Sequence, residues 1–355
     1  MVHVGLDLSR RRLDVCVLAP AGSVLLRTAV SPDPDGLDGL VRQVAAVAPG
    51  GPGGQVWAAI ESMTGSRAVR DHLVGRGWRV QVADAAKAKG LAPLTCKTDR
   101  IDAWVLAELS RRDLVPQVWL PDPATRSVRE RARFRLHLVG HRTALKNRVH
   151  AALIAFGHPC PVSDLFGVGG RQLLARLALP PAWADDVAAG LELIDYLDGQ
   201  IDRVEGELRA EIAGQTRYAR AVELLQTVPG VGPVLAVTIA SEVGDITRFA
   251  TAKQLVGYTG LCPRVYQSGQ RNRRGPLAKN GPKYLRWALI EAAVHAASHP
   301  LYREHYQATK TRLGPQRGPK VARVDLARRL AEAIWWMLTT NTPFSPAGAP
   351  ADLAA

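Results

Sequence analysis

Three short apolar runs open the chain, Val2–Leu8, Leu13–Leu18 and Val24–Val30, each rich in Val and Leu and each too short to make a stable helix. Pro20, Ala21 and Gly22 form a turn between the second run and the third. The pattern then changes. Residues 37–47 read as a helix after a Pro/Asp stretch, and 55–60 as a strand after a Gly/Pro loop. Residues 68–76 read as a helix stopped at Gly77, 79–83 as a strand, and 101–112 as a helix with Ala, Leu and Val on one face. Three strands in hairpin order followed by helix, strand, helix and strand predict an α/β domain, a mixed sheet with helices packed against it.

The rest of the chain predicts helices. Residues 124–156 read as one long basic helix in which Arg126, Arg129, Arg131, Arg133, Arg135, Arg142, Lys146 and Arg148 face a single acid, Glu130. Along 185–212, Val187, Ile194, Ile201 and Leu208 recur every seven residues, with Leu197 and Val204 three further on. Gly190 and Glu211 interrupt the pattern, so the segment reads either as a short coiled coil or as an amphipathic helix packed within its own domain. The 355 residues carry a net charge of +14, which points to a polyanionic partner. A membrane-surface protein would need a basic amphipathic stretch with an aromatic and Leu face, and none is visible. No apolar run reaches the length of a bilayer span; the longest lies near 231–243. Cys16, Cys96, Cys160 and Cys262 form no paired motif, and the N-terminal residues lack a secretory apolar core. A cytoplasmic protein without zinc or disulfides is the expectation.

Four carboxylates stand out against this background. Asp7 ends one apolar strand, in VGLDLS, and Glu61 ends another, in WAAIES. Asp99 and Asp102 follow in KTDRIDA, three residues apart and so on one helical face. Like charges there repel unless a cation sits between them. Together the four can hold one or two Mg²⁺ (or Mn²⁺) ions through hard oxygen donors, the arrangement that clamps both oxygens of a phosphoryl transfer. Taken singly, Asp7 also reads as a turn residue and the Asp99/Asp102 pair as a solvated helix start. Strand order and basic charge favour the metal site.

In the C-terminal part, LLQTVPGVGPVLAVTIASEVG resembles a helix-hairpin-helix, with its turn at 229–232. Glycines there allow close approach of a phosphate to a helix N-terminus; a plain helical hairpin with a glycine turn is the competing reading. Residues 264–286 then hold Arg264, Arg271, Arg273, Arg274, Lys279, Lys283 and Arg286 with no acid. Glycines and Ser268 break this stretch, so its first part reads as loop ahead of a helix at 283–297, a composition suited to nucleic-acid backbones. Residues 303–329 form a third basic stretch, with eight Lys/Arg against Glu304 and Asp325.

GLDLS, the isolated Glu61 and KTDRIDA resemble the DEDD-type transposases of the insertion-sequence-110 family, relatives of the Piv DNA invertases, and the resemblance runs over most of the chain. It implies a RuvC-like, RNase H-like catalytic domain at 1–122, a helical connector at 123–220, a mainly helical transposase domain at 221–342 and a tail at 343–355. It also implies that Ser268, in Gln267-Ser268-Gly269, is the nucleophile of a strand cleavage and rejoining reaction that passes through a phosphoserine. The implied partners are donor and target DNA, a structured non-coding guide RNA of the same element, and further copies of the chain in a dimer or tetramer, with the heptad segment as a possible contact. Two other classes stay open: a RuvC-like endonuclease that only hydrolyses DNA, and a non-catalytic nucleic-acid-binding protein, which would need a broken carboxylate set. Within the recombinases, a DNA invertase is the alternative to a transposase.

Overall fold

The computed structural model describes residues 1–91, 99–158, 160–269 and 271–345. The chain forms two compact units, Met1–Leu120 and Pro121–Ala355.

The first unit is built on a five-stranded sheet of order β3-β2-β1-β4-β5. The expected hairpin strands are β1 (Val2–Leu8), β2 (Leu13–Leu18) and β3 (Val24–Val30), each antiparallel to the next. After α1 (Pro34–Val47), strand β4 (Val56–Glu61) returns parallel to β1; after α2 (Ser66–Gly75), β5 (Arg79–Ala83) lies parallel to β4. Helices α3 (Ala85–Leu91) and α4 (Asp99–Arg111) complete the unit. Asp33 caps α1 by accepting from the Gly36 amide at 2.8 Å, and Pro34 occupies the position where a missing N–H costs least.

Strand alternation divides the sheet into two faces. Val2, Val4, Leu6, Leu13, Val15, Val17, Ala58 and Ile60 form one core with Leu37, Leu40 and Val44 of α1 and Val69 and Leu73 of α2. The residues between them face the other way. Cys16 and Leu18 pack on Ala103 and Ala107 of α4, and Ala59 and Ala83 pack with Leu106 and Leu109. The sheet is therefore a central layer, with α4 across the middle of its second face and Ala88 of α3 packed beside it.

Among the described residues, the second unit is helical apart from one ribbon. Its elements are α5 (Pro123–Ala155), α6 (Val168–Arg176), α7 (Pro181–Ala213), α8 (Thr216–Gln226), α9 (Pro233–Val243), α10 (Ala252–Thr259), β6 (Pro263–Ser268), β7 (Arg271–Leu277), α11 (Lys283–Ala296) and α12 (Pro300–Thr340), the last kinked at Gly314. The seven-residue repeat of α7 is used inside the chain: Val187, Ile194, Ile201, Val204 and Leu208 are buried, and α7 packs along α5. Val128 and Leu138 of α5 and Ile201 and Leu208 of α7 share a single core with α8, α9, α10, α11 and α12.

The charge on α5 departs from the sequence expectation. Its arginines do not form a free cationic face. Arg131 pairs with Glu207 and Glu211, Arg135 with Glu205, Arg142 with Asp198 and Arg148 with Asp186. The pairing order shows that α7 runs antiparallel to α5. Acids 38 or more residues away supply these partners, which a local count of charges on the helix cannot register.

The most buried of these ion pairs lies at Glu242 of α9, which is 1% exposed. Arg133 grips its carboxylate with two hydrogen bonds, of 2.6 and 2.9 Å. Arg129 lies beside it and donates to the Ser241 carbonyl at 3.0 and 2.9 Å. Burial pulls the Arg129 pKa down from its usual value, and Glu242 opposes that pull. Glu242→Ala would leave two cations facing a desolvated void. It is expected to destabilise the chain by about 3–5 kcal/mol in denaturant unfolding, the usual cost of breaking a buried pair. A loss below about 1 kcal/mol, the value of an exposed pair, would contradict this.

Candidate active site

Asp7 and Glu61 lie at the ends of β1 and β4, and Asp102 lies in the first turn of α4, the helix that packs on β1. In the parallel pairing of β1 with β4, Leu6 lies opposite Ile60, so the next residues in register are Asp7 and Glu61. Neighbouring strands run about 4.8 Å apart, so these side chains leave the sheet side by side. Both lie on the α4 face, as do Gly5 and Ala59 two residues before them.

Gly5 is what lets α4 sit there. A Cβ at this position would lie 1.8 Å from the Ala103 carbonyl oxygen and 2.4 Å from the Ala107 amide nitrogen. No side chain larger than hydrogen fits under the helix. Further along, His3 Nδ1 lies 3.3 Å from Ser110 Oγ, so α4 runs antiparallel to β1. From His3 to Asp7 the strand advances about 13 Å at 3.3 Å per residue. A helix covers that in about nine residues at 1.5 Å each, which leads from Ser110 back to the first turn of α4, where Asp102 lies. Asp99 begins the same helix; its side chain lies outside the described residues, as do Lys97 and Thr98 of the same motif.

The other end of α4 is held firmly. Arg111 donates to both oxygens of Glu108, at 2.8 and 2.6 Å, and to the Pro20 carbonyl at 3.3 Å. The Arg111 hydrogen bonds, opposed by burial and helped by Arg112, hold the Glu108 carboxyl down at about 2. Burial, then the Arg111 charge, pulls the His3 imidazole below its ordinary value. His3 therefore takes up a proton less readily folded than unfolded, and stability falls as pH drops below about 6.5, the unfolded value. Full-length His3→Gln is expected to lose that part of the acid sensitivity; an unchanged stability profile between pH 6.5 and 5 would count against the His3 contact.

One carboxylate of this face escaped the sequence reading. Asp14 of β2 pairs in register with Asp7, is 4% exposed, and is held by Arg12 through two bonds of 2.9 and 2.8 Å. A lone acid inside the apolar run LDVCVL was the available signal. Glu61 in turn lies 3.7 Å from the Lys89 ammonium. Among the described residues, no three His, Cys, Asp or Glu side chains stand close enough to hold a metal ion. The donor set at this end, Asp7, Glu61 and Asp102, is nevertheless carboxylate oxygen throughout, which suits a hard divalent cation.

The second unit presents the other predicted residues. The stretch expected to begin as loop is instead a two-stranded antiparallel ribbon, β6 and β7. Its side chains show no apolar alternation because both faces are in water, from Arg264 to Arg274. Ser268 ends β6, and Gly269, with φ of 55°, starts the turn. Hydrogen bonds from the Ala278 amide to the Cys262 carbonyl (2.8 Å) and from the Lys279 amide to Gly260 (3.1 Å) tie the ribbon's base to α10. Arg264, Arg271, Arg273, Arg274, Lys279 and Lys283 are exposed. Arg286 is half-buried and donates to the Thr259 carbonyl at 3.3 Å.

The helix-hairpin-helix segment is two helices, α8 and α9, joined by a turn through Gly230 at φ of 84°. A Cβ on Gly230 would lie 2.4 Å from the Ala292 carbonyl of α11. No side chain caps α9, so its first N–H groups open into a hollow shared with Trp287, Glu291, His295 and His299.

A mixed α/β sheet carrying acids at one end, joined to a helical unit with an exposed basic ribbon, is an arrangement suited to enzymes that act on nucleic acid. Comparison with known proteins gives the family. A DEDD transposase model of the IS110 type matches residues 4–157, and the model of the IS116/IS110/IS902 transposase family matches 222–307. The chain is 28% identical to a Pseudomonas aeruginosa protein named "Probable family 20 transposase", over 70% of this chain and 74% of that one. It is 27% identical to the Yersinia enterocolitica transposase for insertion sequence element IS1328, over 81% of this chain and 85% of that one. A Moraxella bovis pilin gene-inverting protein is 25% identical over 73% of this chain and 71% of its own. The chain belongs to the IS110/IS116/IS902 family of DNA transposases. Among the described residues no helix is long and apolar enough to cross a membrane.

Proposed function

We propose that this transposase cuts and rejoins DNA strands with Ser268 as nucleophile and a divalent-metal site on Asp7, Glu61, Asp99 and Asp102. The observation that carries the reading is the convergence of Asp7, Glu61 and the first turn of α4 on one end of one sheet face. Three antiparallel strands followed by two parallel ones, in the order β3-β2-β1-β4-β5, also suit an RNase H-like domain. A bound Mg²⁺ or Mn²⁺ would supply Lewis-acid stabilisation of the charge on the phosphate oxygens.

The chain's own groups do the rest. The Ser268 Oγ–phosphorus bond forms as the bond from phosphorus to one sugar oxygen breaks. The serine proton leaves to solvent, and the departing oxygen takes one up. One DNA end becomes a phosphoserine ester and the other a free hydroxyl; attack by a hydroxyl on the ester reverses the chemistry and joins strands without ATP. A guide RNA from the same element and assembly into a dimer or tetramer complete the proposal. Domain limits at 122, 220 and 342 belong to it as well. The invertase reading draws on the Moraxella relative's name.

Two dependences test the reading. Cleavage of DNA should require Mg²⁺ or Mn²⁺ and stop with a chelator. Affinity should fall roughly 10³-fold between 50 and 200 mM salt, since the exposed cations of the ribbon and its flanks suit about six phosphates. Metal-independent cutting, or a flat salt response, would overturn it.

A further inference from the structure

Three arginines crowd into four residues of β7, and strand geometry separates them. In the ribbon, Ser268 pairs with Arg271, Tyr266 with Arg273, and Val265 with Arg274. Directly paired residues of an antiparallel ribbon project from the same face, with Cβ atoms about 5 Å apart, and successive residues alternate faces. Ser268, Tyr266, Arg271 and Arg273 therefore share one face, with Arg271 directly across from the serine and Arg273 on its diagonal. Arg274 projects from the opposite face with Val265, Gln267 and Asn272. None of these arginines has a carboxylate partner among the described residues, and the ribbon is exposed on both sides. Elsewhere in this unit arginines are neutralised, as on α5. Here they are left for an external anion.

We infer that Arg271 and Arg273 are catalytic residues that grip the non-bridging oxygens of the phosphate under attack, while Arg274 serves only to hold DNA. The inference rests on Ser268 being the nucleophile. As the serine oxygen adds to phosphorus, negative charge grows on the two non-bridging oxygens. A guanidinium offers paired donors in a fixed plane that match two such oxygens. Donors placed beforehand where charge develops act most strongly in the transition state. An arginine on the far face cannot do this while Ser268 faces the phosphorus. It can still contact a neighbouring phosphate and add to affinity.

The test measures the rate of covalent protein–DNA adduct formation against DNA concentration for full-length chains in Mg²⁺. Arg274→Ala should mainly raise the DNA concentration needed for half-maximal rate. Arg271→Ala and Arg273→Ala should lower the maximal rate itself, by roughly 10²–10³-fold for Arg271, as when a single transition-state donor is removed. Arg271→Lys should recover part of that rate, because charge returns without the fork. Circular dichroism of each variant controls for folding, and a ribbon with both faces in water should tolerate all three changes. Equal losses of maximal rate for Arg271→Ala, Arg273→Ala and Arg274→Ala would overturn the face assignment. If the wild-type chain forms no adduct at Ser268, the nucleophile reading fails instead, so the two failures are distinguishable.

Discussion

Gly5→Ala is expected to cost the protein its DNA cutting and a large part of its stability together. The added methyl would stand 1.8 Å from the carbonyl oxygen of Ala103 and 2.4 Å from the amide nitrogen of Ala107. Both are backbone atoms of α4, so no side chain can turn away; the helix must lift. Its far end is tied down through Ser110 and Arg111, so the movement falls on the first turn, which carries Asp102. Overpacking of this kind costs about 1–3 kcal/mol and occasionally more. Here the upper end is expected, because the backbone of α4 is struck at two residues. Denaturant unfolding of the full chain reads the stability and strand cleavage reads the site. A Gly5→Ala chain with wild-type midpoint and wild-type cleavage would show that α4 does not rest on β1 as described.

Asp7→Asn and Asp102→Asn should separate the site from the fold. Each removes a charge and almost no volume. Cleavage should fall by 10²-fold or more, on the order of losing a major electrostatic contributor to the transition state. The second readout is independent of activity. Mg²⁺ at about a hundred times its dissociation constant stabilises a protein that binds it only when folded by about 2.7 kcal/mol. The wild-type chain should show such a gain and both variants should lose most of it. A Mg²⁺ shift that survives in both would place the metal elsewhere.

Much of the first unit was legible because β1 and β2 are buried on both faces and turns punctuate the strands. The strands Val2–Leu8, Leu13–Leu18, Val24–Val30 and Arg79–Ala83 lie where the residues predict them. Asp7, Glu61 and Asp102 stood out because charge at the end of an apolar strand, or at the start of a helix, leaves a local trace. Asp14 was passed over although a lone acid inside LDVCVL marks it, because its place beside Asp7 follows only from cross-strand register. The α5 arginines misled for a related reason: the acids that neutralise them sit on α7, and pairing at that separation has no signature in a local count. The β6–β7 ribbon was hidden because it buries neither face, so the alternation that marks a strand is absent from its residues. Gly5 was unremarkable in sequence; only the helix above it shows why that position tolerates nothing else.

Uptake of the DNA strand by Ser268 can be measured on the protein itself. Full-length protein is incubated with a cleavable DNA substrate and Mg²⁺, denatured, and digested, and the nucleotide-bearing peptide is mapped by mass spectrometry. A nucleotide joined through phosphate to Ser268 is expected, absent from Ser268→Ala and strongly reduced in Asp102→Asn. DNA cut with no adduct would make the enzyme a hydrolytic nuclease, and an adduct on Tyr266, two residues away on the same face of the ribbon, would contradict the assignment of the serine.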